Sequence, residues 1–243
     1  MIHIETADYL VRLLDLKNEK ELNDVRRLRY QFLLKEFNPN MSDGEGLDDD
    51  GYDSFSDSIL VIEKSSGLIV GTYRVATDAT LKGKKFKSEN EFDFSSLKSA
   101  PGGIVEAGRA VVHGDYRTGV VIGLLWKALF SYAEEHGLRY IIGTCSLHGT
   151  DPSVYAGCTS VLNNKYLCRD FDIRAVSNAF EYGTRHGLDE YDIQIPGLLK
   201  AYLRFGAKVS QNGFIDYEFN CCDVMIVLDR QSIDQRMLKY FMR

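Results

Sequence analysis

The pattern of apolar and polar residues at the start of the chain predicts a strand followed by an amphipathic helix. Residues 9–16 are predicted to form the strand. Asn18 is a candidate helix cap because Glu21 follows it three residues later, and apolar residues then recur at helical spacing as far as Phe32. The helix is therefore expected over residues 19–36.

The rest of the chain alternates between strand and helix patterns. The further predicted elements are a hairpin at 59–63 and 68–76, a buried strand at 104–112, helices at 120–136 and 198–205, and strands at 140–144, 214–219 and 224–228. This order predicts an α/β fold of the mixed α+β kind, with a mostly antiparallel mixed sheet flanked by helices. No repeat or linker divides the chain, so residues 1–243 are interpreted as one domain with an insertion around 151–195.

Composition narrows the class of protein. The chain has 243 residues, of which 44% are hydrophobic, which is enough to form a sizeable core. Its net charge of −6 argues against a general nucleic-acid-binding protein. Its longest apolar run, residues 120–126, is far shorter than the ~20 residues of a membrane-spanning helix, and the N-terminus lacks a secretory signal, so a cytoplasmic location is expected. The five cysteines form no CxxC pair, which favours reduced thiols and no metal site.

Candidate chemistry is concentrated where the predicted strand 104–112 passes through a glycine-containing turn into the predicted helix 120–136. Such a turn directs unpaired backbone N–H groups and the positive end of the helix dipole at one point, which suits an anion. Arg117 adds a cation to this turn, so a phosphate is the expected ligand. The alternative is a routine helix entry with a surface arginine.

Several motifs occur along the chain in a characteristic order. They are Leu28-Arg29-Tyr30, Asp50-Gly51-Tyr52-Asp53, Gly71-Thr72-Tyr73-Arg74, Glu106-Ala107-Gly108-Arg109, Asp115-Tyr116-Arg117 and the later run at 198–204. In order and spacing the chain resembles the ornithine N-acyltransferases of ornithine-lipid synthesis, which are related to N-acyl amino acid synthases and acyl-homoserine-lactone synthases. All of these resemble the GNAT acyltransferase superfamily, so a splayed central strand pair is also implied.

The helix-entry turn departs from the usual GNAT pattern Gln/Arg-x-x-Gly-x-Gly/Ala. Tyr116 stands at the first position and Val121 at the last, whereas Gly119 is retained. This departure argues against a standard coenzyme A pyrophosphate site. The resemblance then favours acyl-phosphopantetheine on acyl carrier protein, which has a single phosphodiester, as the donor, with acyl coenzyme A as the alternative and no other cofactor.

The resemblance implies an N-acyltransferase that moves a long-chain, 3-hydroxy acyl group from acyl carrier protein to the α-amine of an amino acid, above all ornithine. The substrate amine attacks the thioester directly, so no enzyme nucleophile is required. Two alternatives stay open at this point. One is a synthase of N-acyl amino acid or acyl-homoserine-lactone signals, and the other is a non-catalytic module that binds acylated carrier protein.

Glu106 is the candidate general base for the attacking amine. The alternative is an ion pair between Glu106 and Arg109 or another basic neighbour. In a regular strand these two residues face opposite sides, so both reach one pocket only if the strand is bulged, for which Gly108 is a suitable residue. A backbone N–H in that bulge would polarise the thioester carbonyl.

The resemblance also implies the contacts of both substrates. The acyl donor is expected to contact Val111, Val112, Arg117, Thr118, Gly119, Val120, Val121, Cys145 and Ser146. The amino acid acceptor is expected to contact Arg29, Asp50, Asp53, Arg74 and Arg109. Because an α-carboxylate suits a bidentate guanidinium, the arginines are candidates for that contact, although ion pairs with the aspartates or with Glu106 are an equal alternative.

Three charged segments and one thiol each allow two interpretations. The acidic run 43–57 attracts a cationic acceptor or is a solvated loop, and the lysine run 82–87 docks an acidic carrier protein or is likewise solvated. Residues 231–243 form an amphipathic helix for peripheral contact with the inner face of the membrane or for core packing. Cys145 with His148 weakly suggests a thiol nucleophile with its base, whereas a buried inert thiol is the ordinary finding.

Overall fold

The structure of the protein is a computed structural model that describes residues 2–41, 44–187 and 195–234, together with residues 236 and 238. The chain divides into two compact units. The first unit comprises the described chain up to Lys84 together with Val105–Leu138, and the second comprises Lys85–Ile104 together with the described residues from Arg139 onward.

The elements of the described residues follow the predicted alternation. The strands are β1 (His3–Glu5), β2 (Tyr9–Leu13), β3 (Asp57–Glu63), β4 (Ile69–Thr77), β5 (Phe92–Asp93), β6 (Ile104–Val112), β7 (Tyr140–His148), β8 (Arg174–Ala175), β9 (Ala179–Phe180), β10 (Lys208–Val209), β11 (Gly213–Asp216) and β12 (Cys221–Asp229). The helices are α1 (Glu19–Arg29), α2 (Lys35–Phe37), α3 (Asp78–Leu81), α4 (Ser95–Lys98), α5 (Val120–Glu135), α6 (Ala156–Val161) and α7 (Gly197–Arg204).

The first unit contains an antiparallel sheet in the order β1, β2, β3, β4, β6. Helices α1 and α5 cover opposite faces of it. A Cβ added at Gly71 in β4 would lie 2.5 Å from Val121 of α5. The next residue, Thr72, points to the other face, where its cross-strand partner Leu60 belongs to the same core cluster as Val25 of α1.

The predicted helix over 19–36 is confirmed with one local change. The side chain of Asn18 caps it by accepting a hydrogen bond from the Glu21 backbone N–H at 3.2 Å. After α1 the helix widens into a π-helical turn at Tyr30–Leu34 and then ends in α2. A π-helical turn has no signature in the apolar spacing on which the prediction depends, and such turns are frequent at functional sites.

The second unit contains an antiparallel sheet in the order β7, β12, β11, β9, with β10 also paired to β12, and a separate pair formed by β5 and β8. The predicted insertion around 151–195 contains α6, a π-helical turn at Leu162–Tyr166, β8 and β9. Part of the extended chain after β9 packs tightly on α6, since a Cβ at Gly183 would lie 2.3 Å from the Ala156 carbonyl oxygen.

The predicted fold class, a mixed α and β fold with a mostly antiparallel sheet and flanking helices, is confirmed. Several strand ends differ from the prediction, among them the strand predicted at 214–219, which ends at Asp216, and the strand predicted at 224–228, which begins at Cys221. The strand predicted at 9–16 ends at Leu13, and the strand predicted at 140–144 continues to His148 because polar residues alternate there with buried ones. The single-domain interpretation and the splayed strand pair stay predictions.

The predicted amphipathic helix at 231–243 falls largely outside the described residues. Within the described part of the chain, no helix combines the length and the apolar character that crossing a bilayer requires.

Candidate active site

Strand β6 contains the expected bulge. Arg74 of β4 lies opposite Gly108, and beyond that pair β6 has one residue more than β4 before pairing resumes. The residue in the left-handed backbone region is Arg109, with φ of +52°, and not the neighbouring glycine. The sequence therefore predicts the bulge correctly but not the residue whose backbone forms it.

The bulge brings Glu106 and Arg109 to one face of the sheet. Glu106 lies directly opposite Ala76 and so shares a face with Arg74, two residues along β4. Arg109 reaches the same side, because its Nη2 lies 3.3 Å from Asp50 Oδ2 and Asp50 also binds Arg74. Glu106 itself is buried, with 7% of its surface exposed.

Arg29 of α1 occupies the centre of a group of ion pairs behind this face. Its side chain is fully buried and donates to both oxygens of Asp53, each at 2.8 Å, and to the backbone oxygen of Asp48 at 2.7 Å. Its Nε lies 3.0 Å from Asp48 Oδ2 in a direction that gives an ion pair but no hydrogen bond. Arg26, one turn earlier, also donates to Asp53, at 2.9 Å.

We call the whole set the ion-pair network. It consists of Arg26, Arg29, Arg74 and Arg109 with Asp48, Asp49, Asp50 and Asp53. Its positive and negative groups are equal in number, so the network is internally neutral. Glu106 adds a further carboxyl group on the same face.

Two aspartates of the network, Asp50 and Asp53, have lowered pKa values in the folded protein. Burial acts to raise the pKa of Asp50, but the hydrogen bonds and charge of Arg74, with the charge of Arg109, outweigh it and hold that pKa far below its ordinary value. Burial acts in the same sense on Asp53, and Arg29 with Arg26 lowers its pKa below the ordinary value. Arg74 grips Asp50 bidentately, at 2.6 and 2.8 Å.

Neither sequence interpretation of the acidic run 43–57 describes these aspartates fully. Asp48 and Asp53 are buried, and Asp50 is almost so. Asp57 lies elsewhere, because its carboxylate accepts a hydrogen bond from the hydroxyl of Tyr132 on α5 at 2.7 Å. The run is thus mainly a source of counter-ions for buried arginines.

The structure brings all five predicted acceptor residues together within the network. Their exposure distinguishes the three arginines, since the side chain of Arg109 is 19% exposed, against 7% for Arg74 and 0% for Arg29. Direct contact with an acceptor therefore suits Arg109 best. Arg29 and Arg74 are occupied in holding aspartates, as the alternative interpretation of these residues expected.

The helix-entry turn holds Arg117 in protein contacts. Gly119, with φ of +98°, precedes the first turn of α5. Arg117 donates to Glu36 Oε1 at 2.6 Å and to the backbone oxygens of Val112 at 3.1 Å and Phe32 at 3.3 Å. Its side chain is 45% exposed, so a donor phosphate can reach it, but only in competition with Glu36.

Tyr116, where the turn departs from the GNAT pattern, has a structural partner. Its hydroxyl is hydrogen-bonded to Glu63 at the end of β3, which raises the pKa of Tyr116. The same hydrogen bond, with that of Ser66, lowers the pKa of Glu63. Tyr116 is therefore directed toward the β3–β4 hairpin.

The other predicted donor contacts of the first unit differ in exposure, and Val112 at the end of β6 is half-buried. Thr118, Gly119 and Val120 are exposed in the turn. Val111 and Val121 are buried in the core, with 2% and 0% of their surfaces exposed. Their backbone groups, and not their side chains, are the parts that a donor can contact.

The two predicted donor contacts of the second unit lie on opposite faces of β7. Cys145 is buried, and burial raises the pKa of its thiol well above the ordinary value. Ser146 is half-buried on the other face and donates to Asp223 Oδ1 at 2.5 Å. His148 shares the face of Ser146, so strand alternation separates it from Cys145 and the weak thiol–base interpretation is wrong.

Sequence reasoning did not single out Asp223, which lies within the apolar strand β12. Both of its oxygens are hydrogen-bonded, one by Ser146 and the other by the Cys221 thiol at 3.2 Å. Asp223, Cys221 and Asp216 bring one ligand atom each within 4.8 Å of one another, which is a spacing that a metal ion can bridge. A lone aspartate in an apolar strand is the signal that would have identified this position.

Comparison with known proteins gives relatives that match most of the chain. A sequence model of the acetyltransferase (GNAT) domain matches residues 28–127. An L-ornithine N(alpha)-acyltransferase of Agrobacterium fabrum is 30% identical, over 93% of this chain and 83% of that protein. One of Rhizobium meliloti is also 30% identical, over 97% of this chain and 87% of that protein.

Solved structures resemble the chain in fold. The coenzyme-A-dependent acyl-homoserine lactone synthase BjaI, with SAM and isopentyl-CoA, gives a TM-score of 0.55 at 14% identity, over 96% of this chain and 87% of that one. The AHL synthase LasI gives 0.52 at 14% identity, over 90% and 89%. At this level of identity the likeness concerns the GNAT-like fold.

Replacing Asp53 tests how far the ion-pair network stabilises the protein. Asp53→Asn leaves the buried Arg29 guanidinium without its main counter-ion, so we expect a loss of about 3–5 kcal/mol in the free energy of unfolding at pH 7. Asp49→Asn is the control, since Asp49 is 48% exposed and pairs with Arg26, and it should cost about 1 kcal/mol or less. Urea unfolding measures both.

Comparing the wild type with Asp53→Asn also tests how the stability of the protein depends on pH. Because the pKa of Asp53 is lowered in the folded state, its stabilisation is complete above the unfolded-state pKa of about 4 and is lost as the pH falls below it. The stability difference between wild type and Asp53→Asn should therefore shrink in acid. A difference that is constant with pH would contradict the assignment.

Proposed function

Because this chain belongs to the family of L-ornithine N(alpha)-acyltransferases, we propose that it transfers an acyl group from a thioester to the α-amine of ornithine. The observation that carries the proposal is the single face on which Glu106 lies together with Arg109 of the ion-pair network. That face provides a candidate base and a candidate carboxylate ligand for one α-amino acid.

The reaction needs a proton acceptor and an oxyanion site. The ornithine ammonium loses a proton to Glu106, directly or through water, and the free amine attacks the thioester carbonyl carbon. The C–N bond forms, the C–S bond of the tetrahedral intermediate breaks, and the thiol leaves with a proton. Backbone N–H groups at the bulge are the candidates for stabilising the oxyanion, and alignment of the two substrates contributes much of the remaining acceleration.

Charge supports ornithine as the acceptor. The α-carboxylate of the acceptor pairs with the guanidinium of Arg109, the most exposed of the three predicted arginines. The carboxylate of Glu106 lies on the same face as Arg109, and a carboxylate there favours an acceptor that carries a second ammonium. An amino acid with a cationic side chain therefore fits this face better than glycine or glutamine does.

The donor in this proposal is a 3-hydroxyacyl group on acyl carrier protein. The turn at Arg117 offers one cation, backbone N–H groups and the positive end of α5, which together suit the single phosphodiester of phosphopantetheine. The lysine run 82–87 supplies positive charge for docking an acidic carrier, because the side chains of Lys82, Lys84 and Lys85 are exposed. Peripheral membrane contact through residues 231–243 stays a prediction.

Product analysis tests the proposed function as a whole. Purified protein is incubated with 3-hydroxypalmitoyl carrier protein, or with the matching coenzyme A thioester, and a mixture of ornithine, lysine, glycine, glutamine and S-adenosylmethionine. Mass spectrometry should detect N-acylornithine as the main product, with the carrier protein thioester as the better donor. An acyl-homoserine lactone would favour the signal synthase, and bound donor without product would favour a binding module.

Glu106→Gln tests the base. The amide is nearly isosteric but cannot accept the proton, so we expect kcat to fall about tenfold or more with the fold intact. Glu19→Gln, which changes an exposed carboxylate at the start of α1, should leave turnover unchanged. Wild-type turnover in Glu106→Gln would remove this residue from the mechanism.

Arg117→Ala tests the donor turn. Removing this cation should raise the KM for the carrier protein thioester several-fold and leave the ornithine KM unchanged. Glu36→Gln is the opposing variant, because it removes the carboxylate that holds Arg117 and should lower the donor KM. A donor KM that neither substitution moves would refute phosphate binding at this turn.

A further inference from the structure

We propose that Asp48 and Asp50 are positioning residues which hold Arg109 in its left-handed backbone conformation, and that this conformation is what places the guanidinium on the face of Glu106. The inference rests on the proposed function, because that function gives the position of the Arg109 guanidinium its role in acceptor binding. It assigns a role to Asp48, which the sequence alone does not distinguish from the other acidic residues of the run 43–57.

The backbone of Arg109 is unfavourable without outside support. For a residue with a Cβ, φ of +52° brings that atom close to the following carbonyl oxygen, so few arginines adopt it. Gly108 is next to it in the bulge and would adopt a positive φ freely, yet it does not. Contacts of the Arg109 side chain must therefore stabilise the positive φ at Arg109.

Two carboxylates supply those contacts. Asp48 binds Arg109 through both oxygens, with Nε to Oδ2 at 2.8 Å and Nη2 to Oδ1 at 3.3 Å. Asp50 accepts from the same Nη2 at 3.3 Å. A bidentate carboxylate and a second one beside it fix both the position and the plane of the guanidinium.

Asp48 is in turn anchored to α1. Its backbone oxygen accepts from Arg29 Nη2 at 2.7 Å, and its backbone N–H donates to the Arg26 oxygen at 3.2 Å. Only 3% of its surface is exposed. The position of the Arg109 guanidinium is therefore set by helix α1, through Asp48, and does not depend on the bulge alone.

This arrangement gives Asp48 an effect on catalysis without substrate contact. If Arg109 took the ordinary extended conformation, alternation along β6 would direct its side chain away from the face of Glu106. The acceptor would then lose its carboxylate ligand and its alignment with the base. Loss of Asp48 should consequently raise the ornithine KM and leave the donor KM unchanged.

The sharpest test compares Arg109→Gly with Arg109→Ala. Both variants lack the guanidinium, but only glycine adopts φ of +52° without strain, so the bulge should survive in Arg109→Gly. We expect kcat at saturating ornithine to be about fivefold higher in Arg109→Gly than in Arg109→Ala, and the glycine variant to unfold at the higher urea concentration. Equal kcat and equal urea midpoints would overturn the proposal.

A double-mutant cycle tests the link to Asp48. Asp48→Asn should raise the ornithine KM about tenfold in the wild-type background and have little further effect in the Arg109→Gly background. Asp24→Asn, in an exposed ion pair with Arg27 of α1, is the control and should change neither KM. Independent, additive effects of Asp48→Asn and Arg109→Gly would show that Asp48 does not act through Arg109.

The wild-type assay separates this proposal from the proposed function. If the wild type does not acylate ornithine, the proposed function fails, and the urea midpoints of the glycine and alanine variants still decide whether the backbone of Arg109 is held under strain. If the wild type acylates ornithine and the two variants behave alike in both measurements, the positioning role fails while the function stands.

Discussion

The complete burial of the Arg29 guanidinium is the constraint on which the candidate site depends. A buried cation is tolerable only with counter-ions and hydrogen bonds close to it, and here Asp53 and Asp48 provide both. Meeting that requirement draws the segment around residues 48–53 against α1. The segment then presents Asp48 and Asp50 to the arginines of β4 and β6, so the geometry of the acceptor side follows from the burial of one residue.

The helix that begins at α1 connects two functions of the first unit. In the last turn of α1 Arg26 and Arg29 enter the ion-pair network, and beyond the π-helical turn Glu36 holds Arg117 at the helix-entry turn. The residues proposed to contact the acceptor and the donor are thus attached to one continuous helical segment. The wider π turn lies between them and adjusts which side chains face the sheet and which face the turn.

Most of this fold could be predicted from local sequence patterns. The features that could not be predicted depend on contacts between residues far apart in the chain. The cap at Asn18 could be predicted because both partners lie within one turn of helix. The bulge could be predicted because Glu106 and Arg109 would face opposite sides of a regular strand, whereas the resemblance places both at one site. The left-handed backbone of Arg109 could not be predicted, because it depends on carboxylates some sixty residues earlier in the chain. Asp223 was missed for the same reason, since its partner Ser146 lies on another strand.

The extra residue in β6 also bears on how this protein can vary in length. Gly108 and Val111 share a face because they pair with Arg74 and Thr72, so removing one of the two residues between them would give a regular ladder with both halves of the strand still on their present faces. A single-codon deletion in the bulge would therefore leave the buried positions of β6 in place but would take the arginine off the face of Glu106. The length of β6 should therefore be retained among functional relatives because of the site and not because of the fold.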